Sequence, residues 1–270
     1  MKNKIAAAPY LVWMIVFILV PLLMVAYFAF TDKDGNFTLD YVSDVAQYTP
    51  IFVRSIWLAL ISTVICLLIA YPLAYILIGM NTNIQSTMLM IVMLPMWMNF
   101  LLRTYAWMTL LGNNGLINAV LGLVGLGPFK MLNTEGAVVL GMVYNYLPFM
   151  ILPIYSVMVK IDKSVLEAAA DLGCNSWKTM VKVVFPLSLP GVFSGITMVF
   201  VPAISTFIIS RMLGGGGNLL IGDLIEMQFL GNSYNINLGA AISLVLMVIV
   251  LLIMTILNQF GADEDGVMVM

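Results

Sequence analysis

The 270-residue chain is 62% hydrophobic and only 9% charged, whereas soluble domains run at roughly 45–50% apolar and about 25% charged. So few charged side chains cannot cover a surface of this size, which excludes a soluble enzyme and leaves an integral membrane protein as the expectation. The absence of histidine excludes a His acid–base group, a Ser–His triad or a His-ligated zinc built from this chain, and a net charge of −2 implies no nucleic-acid partner.

A hydrocarbon core of ~30 Å takes about 20 apolar residues per helix. Runs of that kind cover residues 10–30, 55–79, 88–111, 136–158, 191–212 and 238–258. They predict an all-α integral membrane protein of six transmembrane helices in a single domain, 1–270. The first run follows Lys2 and Lys4, but its length exceeds the 7–15 residues of a signal-peptide core, so it reads as an uncleaved helix. Cys66 in the second run and Cys174 in a charged loop belong to different phases and read as free thiols. Pro21, Pro72, Pro95, Pro148, Pro153 and Pro202 all interrupt apolar runs. Lipid tolerates such breaks where neighbouring helices or a polar cavity satisfy the freed carbonyls, and six of them favour a bundle that lines a pathway.

The third run carries Asn99, Arg103, Tyr105 and Trp107, and the fourth Tyr144 and Asn145. Arg103 lies about 15 residues into its run, where a charge is costly and functional by default. It can snorkel to the headgroups or line a pathway, and a clamp on helix-end carbonyls or a nearby carboxylate suits it. Asn99 and Asn145 need polar partners that a lumen supplies. Trp97, Tyr105, Trp107, Tyr144 and Tyr146 are the residue types of interfacial belts and packing.

Residues 160–191, between the fourth and fifth runs, read KIDKSVLEAAADLGCNSWKTMVKVVFPLSLPG. Good helix formers from Lys163 to Leu172 end at Gly173, placed as a C′ glycine. Asn175 or Ser176 then caps a second helix through Val184, which Pro186 and Pro190 are expected to end. The hairpin has a lysine-bearing polar side, and Val165, Leu166, Ala169, Trp177 and Met180 are its apolar contacts. It reads either as an interfacial loop or as a docking surface, whose low profile Ala168 to Ala170 would provide.

After the fifth run, Gly214 to Gly217 followed by Asn218 lacks the Lys and Ser/Thr of a phosphate cradle, and no Walker motif occurs elsewhere. Asp223 and Glu226, three apart, share a face if helical. Placing the N-terminus in the cytoplasm puts Lys2, Lys4, Lys160, Lys163, Lys178 and Lys182 inside, and leaves Lys33, Arg54, Lys130 and Arg211 outside or at the outer boundary. The even helix count then returns Asp263, Glu264 and Asp265 to the cytoplasm.

Glu167-Ala168-Ala169, then Gly173, then Val183-x-Phe185-Pro186 is similar to the EAA motif of permease subunits of ABC importers. That motif runs Glu-Ala-Ala, three residues, Gly, nine residues, Ile-x-Leu-Pro. Every spacing is kept here, with Val183 for Ile and Phe185 for Leu. The resemblance implies the type I importer (MetI-like) permease fold. It also implies that loop 160–190 is a coupling helix seated in a groove of a cytoplasmic ATPase subunit through Glu167, Ala168, Ala169, Gly173, Val183 and Pro186. The further partners it implies are a second homologous permease, two copies of the ATPase and an external substrate-binding protein. ATP and Mg would be bound by the ATPase, with no cofactor or metal in this chain.

Leu102-Arg103-Thr104-Tyr105-Ala106-Trp107, Asn113-Asn114-Gly115, Leu147-Pro148-Phe149-Met150-Ile151-Leu152-Pro153-Ile154-Tyr155, Leu213-Gly214-Gly215 and Leu219-Leu220-Ile221-Gly222 resemble polyamine importer permeases of the PotB/PotH type. That likeness implies spermidine or putrescine as the solute. Asp223 and Glu226 are then either a solvated helix face or an acidic lip for a polycation. Tyr105, Trp107 and Tyr144 become candidate aromatic walls, and Asn99 and Asn145 further pathway candidates. The same architecture serving ferric iron or an oxyanion stays open, as does an ATP-independent membrane transporter or an assembly factor.

Overall fold

The computed structural model describes residues 8–231 and 234–262; Lys2, Lys4, Asp263, Glu264 and Asp265 of the orientation argument lie outside them. The chain opens with α1 (Pro9–Ala29), apolar and exposed along most of its length. One π turn, Ile15–Leu19, sits just before Pro21, where the wider turn makes room for a residue without an N–H. An irregular stretch follows, with a Thr31–Phe37 bridge and a short helix at Asp40–Asp44. Then come α2 (Thr49–Ile78), α3 (Thr82–Trp97), α4 (Phe100–Leu111), α5 (Leu116–Leu123) and α6 (Glu135–Met158). After α7 (Lys163–Asp171), the long α8 (Ser176–Ile204) is followed by α9 (Ile208–Gly214), α10 (Ile221–Leu230) and α11 (Ile236–Ala262).

Among the described residues, five helices are long and apolar enough to cross a bilayer as single pieces. The count reaches six only if one bent pair is taken as a single span. Expected as one helix over 88–111, it breaks between α3 and the Phe100–Leu123 segment with an 89° bend. Met98 and Asn99 are extended there, and the Asn99 side chain accepts from the N–H groups of Leu101 at 2.9 Å and Leu102 at 3.3 Å. An N-cap thus outweighs the apolar run, with Pro95 loosening the turn before it.

The fifth crossing departs from its expected 191–212 bounds in the same way. α8 begins directly after the 159–175 loop, runs through Pro186 and Pro190, and stops at Ile204, so neither proline ends it. A π turn at Met180–Val184 precedes Pro186 and absorbs its ring. The break at Ser205–Phe207 lies against Gly222, where a Cβ would stand 2.4 Å from the Ser205 carbonyl oxygen and 2.5 Å from that of Thr206. Only a glycine admits that approach of backbone to backbone.

The centre of the molecule is α2, α6 and α8 packed together. Met142, Met150, Ile151 and Ile154 of α6 are wholly buried against Leu58, Ala59, Cys66 and Ala70 of α2 and Val192 and Val199 of α8 in one continuous core. In lipid the hydrophobic effect does not drive helix association, so small residues and interhelical hydrogen bonds must carry it. The Tyr71 hydroxyl and Ser188 Oγ lie 3.0 Å apart between α2 and α8, and the Tyr146 hydroxyl donates to the Pro202 carbonyl at 3.3 Å between α6 and α8. α11 packs on α8 and α10 and carries α1 on its outer side. Asn237 fastens that pair by donating to the Phe28 carbonyl at 3.1 Å and the Thr31 carbonyl at 2.6 Å. Both cysteines are free, Cys66 buried in α2 and Cys174 in the loop.

Candidate functional site

The polar groups gather at the two ends of the bundle. One end carries the 159–175 loop. The Asp162 side chain accepts from the Ser164 N–H at 3.0 Å and starts α7; that hydrogen bond holds its carboxyl below the usual carboxylate range. At the other end of α7, the Cys174 N–H donates to the Ala169 carbonyl at 3.0 Å and the Gly173 N–H to Ala170 at 2.9 Å. Gly173 has φ +78°. This is a Schellman closure with glycine at C′, where the left-handed backbone costs no Cβ strain. Asn175, rather than Ser176, caps the next helix through the Lys178 N–H at 2.9 Å. The Tyr75 hydroxyl donates to the Ser176 carbonyl at 3.4 Å, tying α2 to the start of α8.

Glu167 and Ala168 stand exposed on α7, while Ala169 is buried. Pro186 is exposed and Val183 half-buried one helix further on. Beside them Leu172 is 86% and Trp177 67% exposed. A Leu and a Trp presented this far from the core form an apolar knob that the chain itself leaves uncovered.

At the far end, Asp223 opens α10. Its Oδ2 accepts the Leu220 N–H at 2.9 Å, and the neighbouring Ile221 N–H donates to Ser55 Oγ of α2 at 2.9 Å. Asp223 is 2% exposed, and burial pushes its carboxyl above the usual carboxylate range, opposed by Ser210, the Leu220 N–H and the Arg211 charge. Glu226 does share its face, but it is held by Arg211 of α9, a residue the sequence reading did not connect to it. The expected acidic lip is therefore one buried carboxyl and one neutralised one. Both line a cleft of about 510 Å³ with Ser210, Arg211, Asn218 and Met227.

The other pathway candidates separate. Trp107 of α4 and Tyr144 of α6 meet edge to face with centroids 5.3 Å apart. Asn145 is buried and donates to the Gly141 carbonyl at 2.8 Å, while its Oδ1 has no partner. Tyr105 is 53% exposed, and Asn99 is spent on its cap. None of the three aromatics lines the Asp223–Glu226 cleft, whose apolar wall is Leu219, Met227 and Leu230 instead.

Arg103 overturns its expectation as a clamp. Because α4 starts afresh at Phe100, Arg103 sits in a first helical turn and points inward, 8% exposed. Its Nε and Nη1 make no hydrogen bond, and its guanidinium carbon stands 5.8 Å from the Phe100 ring centroid. Among the described residues it forms no ion pair with a carboxylate. A cation at a helix N-terminus also opposes the helix dipole.

A family model described as "Binding-protein-dependent transport system inner membrane component" matches residues 1–260. The Haemophilus influenzae protein described as "Spermidine/putrescine transport system permease protein PotB" is 38% identical over 261 residues, covering 93% of this chain and 91% of that one. The Escherichia coli K12 protein of the same description is 35% identical over 247 residues, 88% of this chain and 90% of that one. A solved bacterial ABC transporter that imports the acidic polysaccharide alginate has a chain superposing with TM-score 0.83 at 16% identity, over 97% of this chain and 96% of that one. A bacterial alginate ABC transporter in complex with an alginate pentasaccharide-bound periplasmic protein superposes with TM-score 0.78. At that identity the two structures establish the fold alone.

Proposed function

The chain belongs to the family of binding-protein-dependent transport system inner membrane components, and from that premise we propose that it is the permease subunit of an ATP-driven ABC importer of spermidine or putrescine. The 38% identity to a spermidine/putrescine permease along nearly both full lengths carries this reading. Its partners are a second homologous permease, two copies of an ATPase subunit that bind ATP and Mg, and an external binding protein that delivers the solute. The solved alginate transporter with its loaded periplasmic protein supports the last of these. The protein crosses the cell membrane several times, with both termini and the 159–175 loop in the cytoplasm and the Arg211–Glu226 end outside.

The geometry supports a route for transmission. α7 is closed by a rigid Schellman turn and bears the Glu167–Ala169 surface, with Leu172 and Trp177 as apolar anchors for an ATPase groove. α8 starts directly beyond that turn and continues for 29 residues to Ile204, about 43 Å at ~1.5 Å per residue. A displacement of the loop by the ATPases is therefore delivered along one helix to the Ser205–Phe207 break, against which Gly222 of the Asp223 helix is packed. In this way loop movement reaches the outer cleft.

The test is uptake by the reconstituted four-part importer. Radiolabelled spermidine or putrescine should accumulate only with ATP and loaded binding protein. Ferric iron or oxyanion uptake without polyamine uptake would refute the solute assignment. Failure of an ATPase and a second permease to co-purify in mild detergent would refute the importer itself.

A further inference from the structure

In the cleft between α9 and α10, two carboxyl groups stand near one cation that is bonded to only one of them. Arg211 donates Nη1 to Glu226 Oε1 at 3.0 Å and Nη2 to Oε2, with half of its side chain exposed. Asp223 is 2% exposed, and among the described residues its Oδ1 makes no hydrogen bond. The Ser210 hydroxyl beside it donates to the Phe207 carbonyl at 2.9 Å. A guanidinium laid bidentate on Glu226 has its fork committed to one carboxylate, whereas an ammonium is a compact head with three donors. Met227 and Leu230 supply an apolar flank of the kind alkyl methylenes need.

We propose that Arg211 is a tethered stand-in for a solute ammonium group: it holds Glu226 while the cleft is empty, and an entering alkyl-ammonium displaces it, bonding Glu226 and filling the vacant acceptor at Asp223 Oδ1. The inference rests on the importer reading and names the cleft's ligand class, a primary ammonium on an apolar chain. The pair is open to solvent on the arginine side, where half of that side chain is exposed, which lets it be exchanged in this way. Arg211 then swings to solvent, and the cleft keeps its charge balance throughout. A purely structural carboxylate would need only the Leu220 bond that Asp223 already makes through Oδ2.

The experiment measures binding of 1,4-diaminobutane to the whole importer complex in lipid nanodiscs without binding protein. Arg211→Gln removes the competitor and should tighten binding roughly fivefold, the equivalent of losing one exposed ion pair. Arg211→Lys keeps a competing charge and should bind like the wild type. Adding Glu226→Gln or Asp223→Asn to Arg211→Gln should abolish the gain, and 1,4-butanediol should bind none of them. Asparagine at 223 retains the acceptor for the Leu220 N–H, so the helix start survives. Unchanged or weaker binding in Arg211→Gln overturns the proposal, as does a gain that persists with Glu226→Gln. Uptake by the wild-type complex is read separately: no polyamine uptake overturns the solute assignment, whereas an Arg211-controlled amine site would stand without it.

Discussion

Gly191 of α8 is seated on Pro153 of α6: a Cβ at Gly191 would lie 2.8 Å from the Pro153 carbonyl oxygen and 3.1 Å from Ile154 Cα. The obstacles are backbone atoms, which cannot turn aside as a side chain would. Four residues on, Gly195 repeats the approach against Met150, with 2.7 Å to its Sδ and 3.2 Å to its carbonyl oxygen. These two glycines let the coupling-loop helix and α6 run in close contact through the bundle centre.

Gly191→Ala should therefore cost about 1–3 kcal/mol of stability, the range for overpacking a tight core. Gly191→Leu should prevent assembly. Gly122→Ala in α5, where an added Cβ meets nothing within 4 Å, is the matched control and should be silent. Thermal melting of the detergent-purified complex, followed by size-exclusion chromatography, separates the three.

Gly173 is constrained differently. A Cβ there would meet no neighbour within 4 Å, so only its φ of +78° resists substitution. Gly173→Val should insert at normal levels yet pay ~1–2 kcal/mol for a left-handed valine, opening the turn that orients Glu167. Substrate-stimulated ATPase activity should fall roughly tenfold, since ~1.4 kcal/mol is a factor of ten. Glu167→Lys, exposed and reversed in charge, should do the same without touching the turn. Normal transport by both variants would show that this loop does not couple.

The orientation is checked by cysteines in a Cys66/Cys174-free background. Asn36→Cys and Lys130→Cys, both at exposed far-end positions, should react with an impermeant thiol reagent added to sealed cells. Ser176→Cys should react only after permeabilisation. Asn133 is an unsuitable probe because its φ of 65° favours asparagine over cysteine.

Burial raises the Asp223 carboxyl above the usual carboxylate range. The folded protein then binds that proton more tightly than the unfolded chain, so its stability falls as pH rises from the ordinary carboxylate value through the raised one. Asp223→Asn keeps the helix cap and has no proton to lose. Its thermal midpoint relative to wild type should rise between mildly acid and mildly alkaline pH, while transport declines. A constant difference across pH would mean that Asp223 titrates normally.

Much of this protein is written locally, and local features survive translation into structure. Run length and apolarity place five long apolar helices and the bent pair, because a bilayer demands a fixed count of apolar residues whatever surrounds them. Gly173 and Asn175 announce the loop's turn and cap for a similar reason: each acts on backbone groups within four residues of itself. Asn99 was legible on the same grounds, standing just past Pro95 and Trp97, but a window that averages hydropathy conceals a cap inside an apolar run. What lies outside local reach was settled by packing. Arg211 and Glu226 are 15 residues apart and meet only because α9 and α10 fold over the Ser205–Phe207 break. Asp223 and Glu226 share a helix face, as their spacing says, yet one is buried and the other neutralised by a residue from a different helix. Among the described residues Arg103 has no ion-pair partner, because the α3–α4 bend starts a new helix at Phe100 and turns the arginine inward beside that ring. Spacing sets which side of a helix a charge occupies, but only the neighbouring helices set what it finds there.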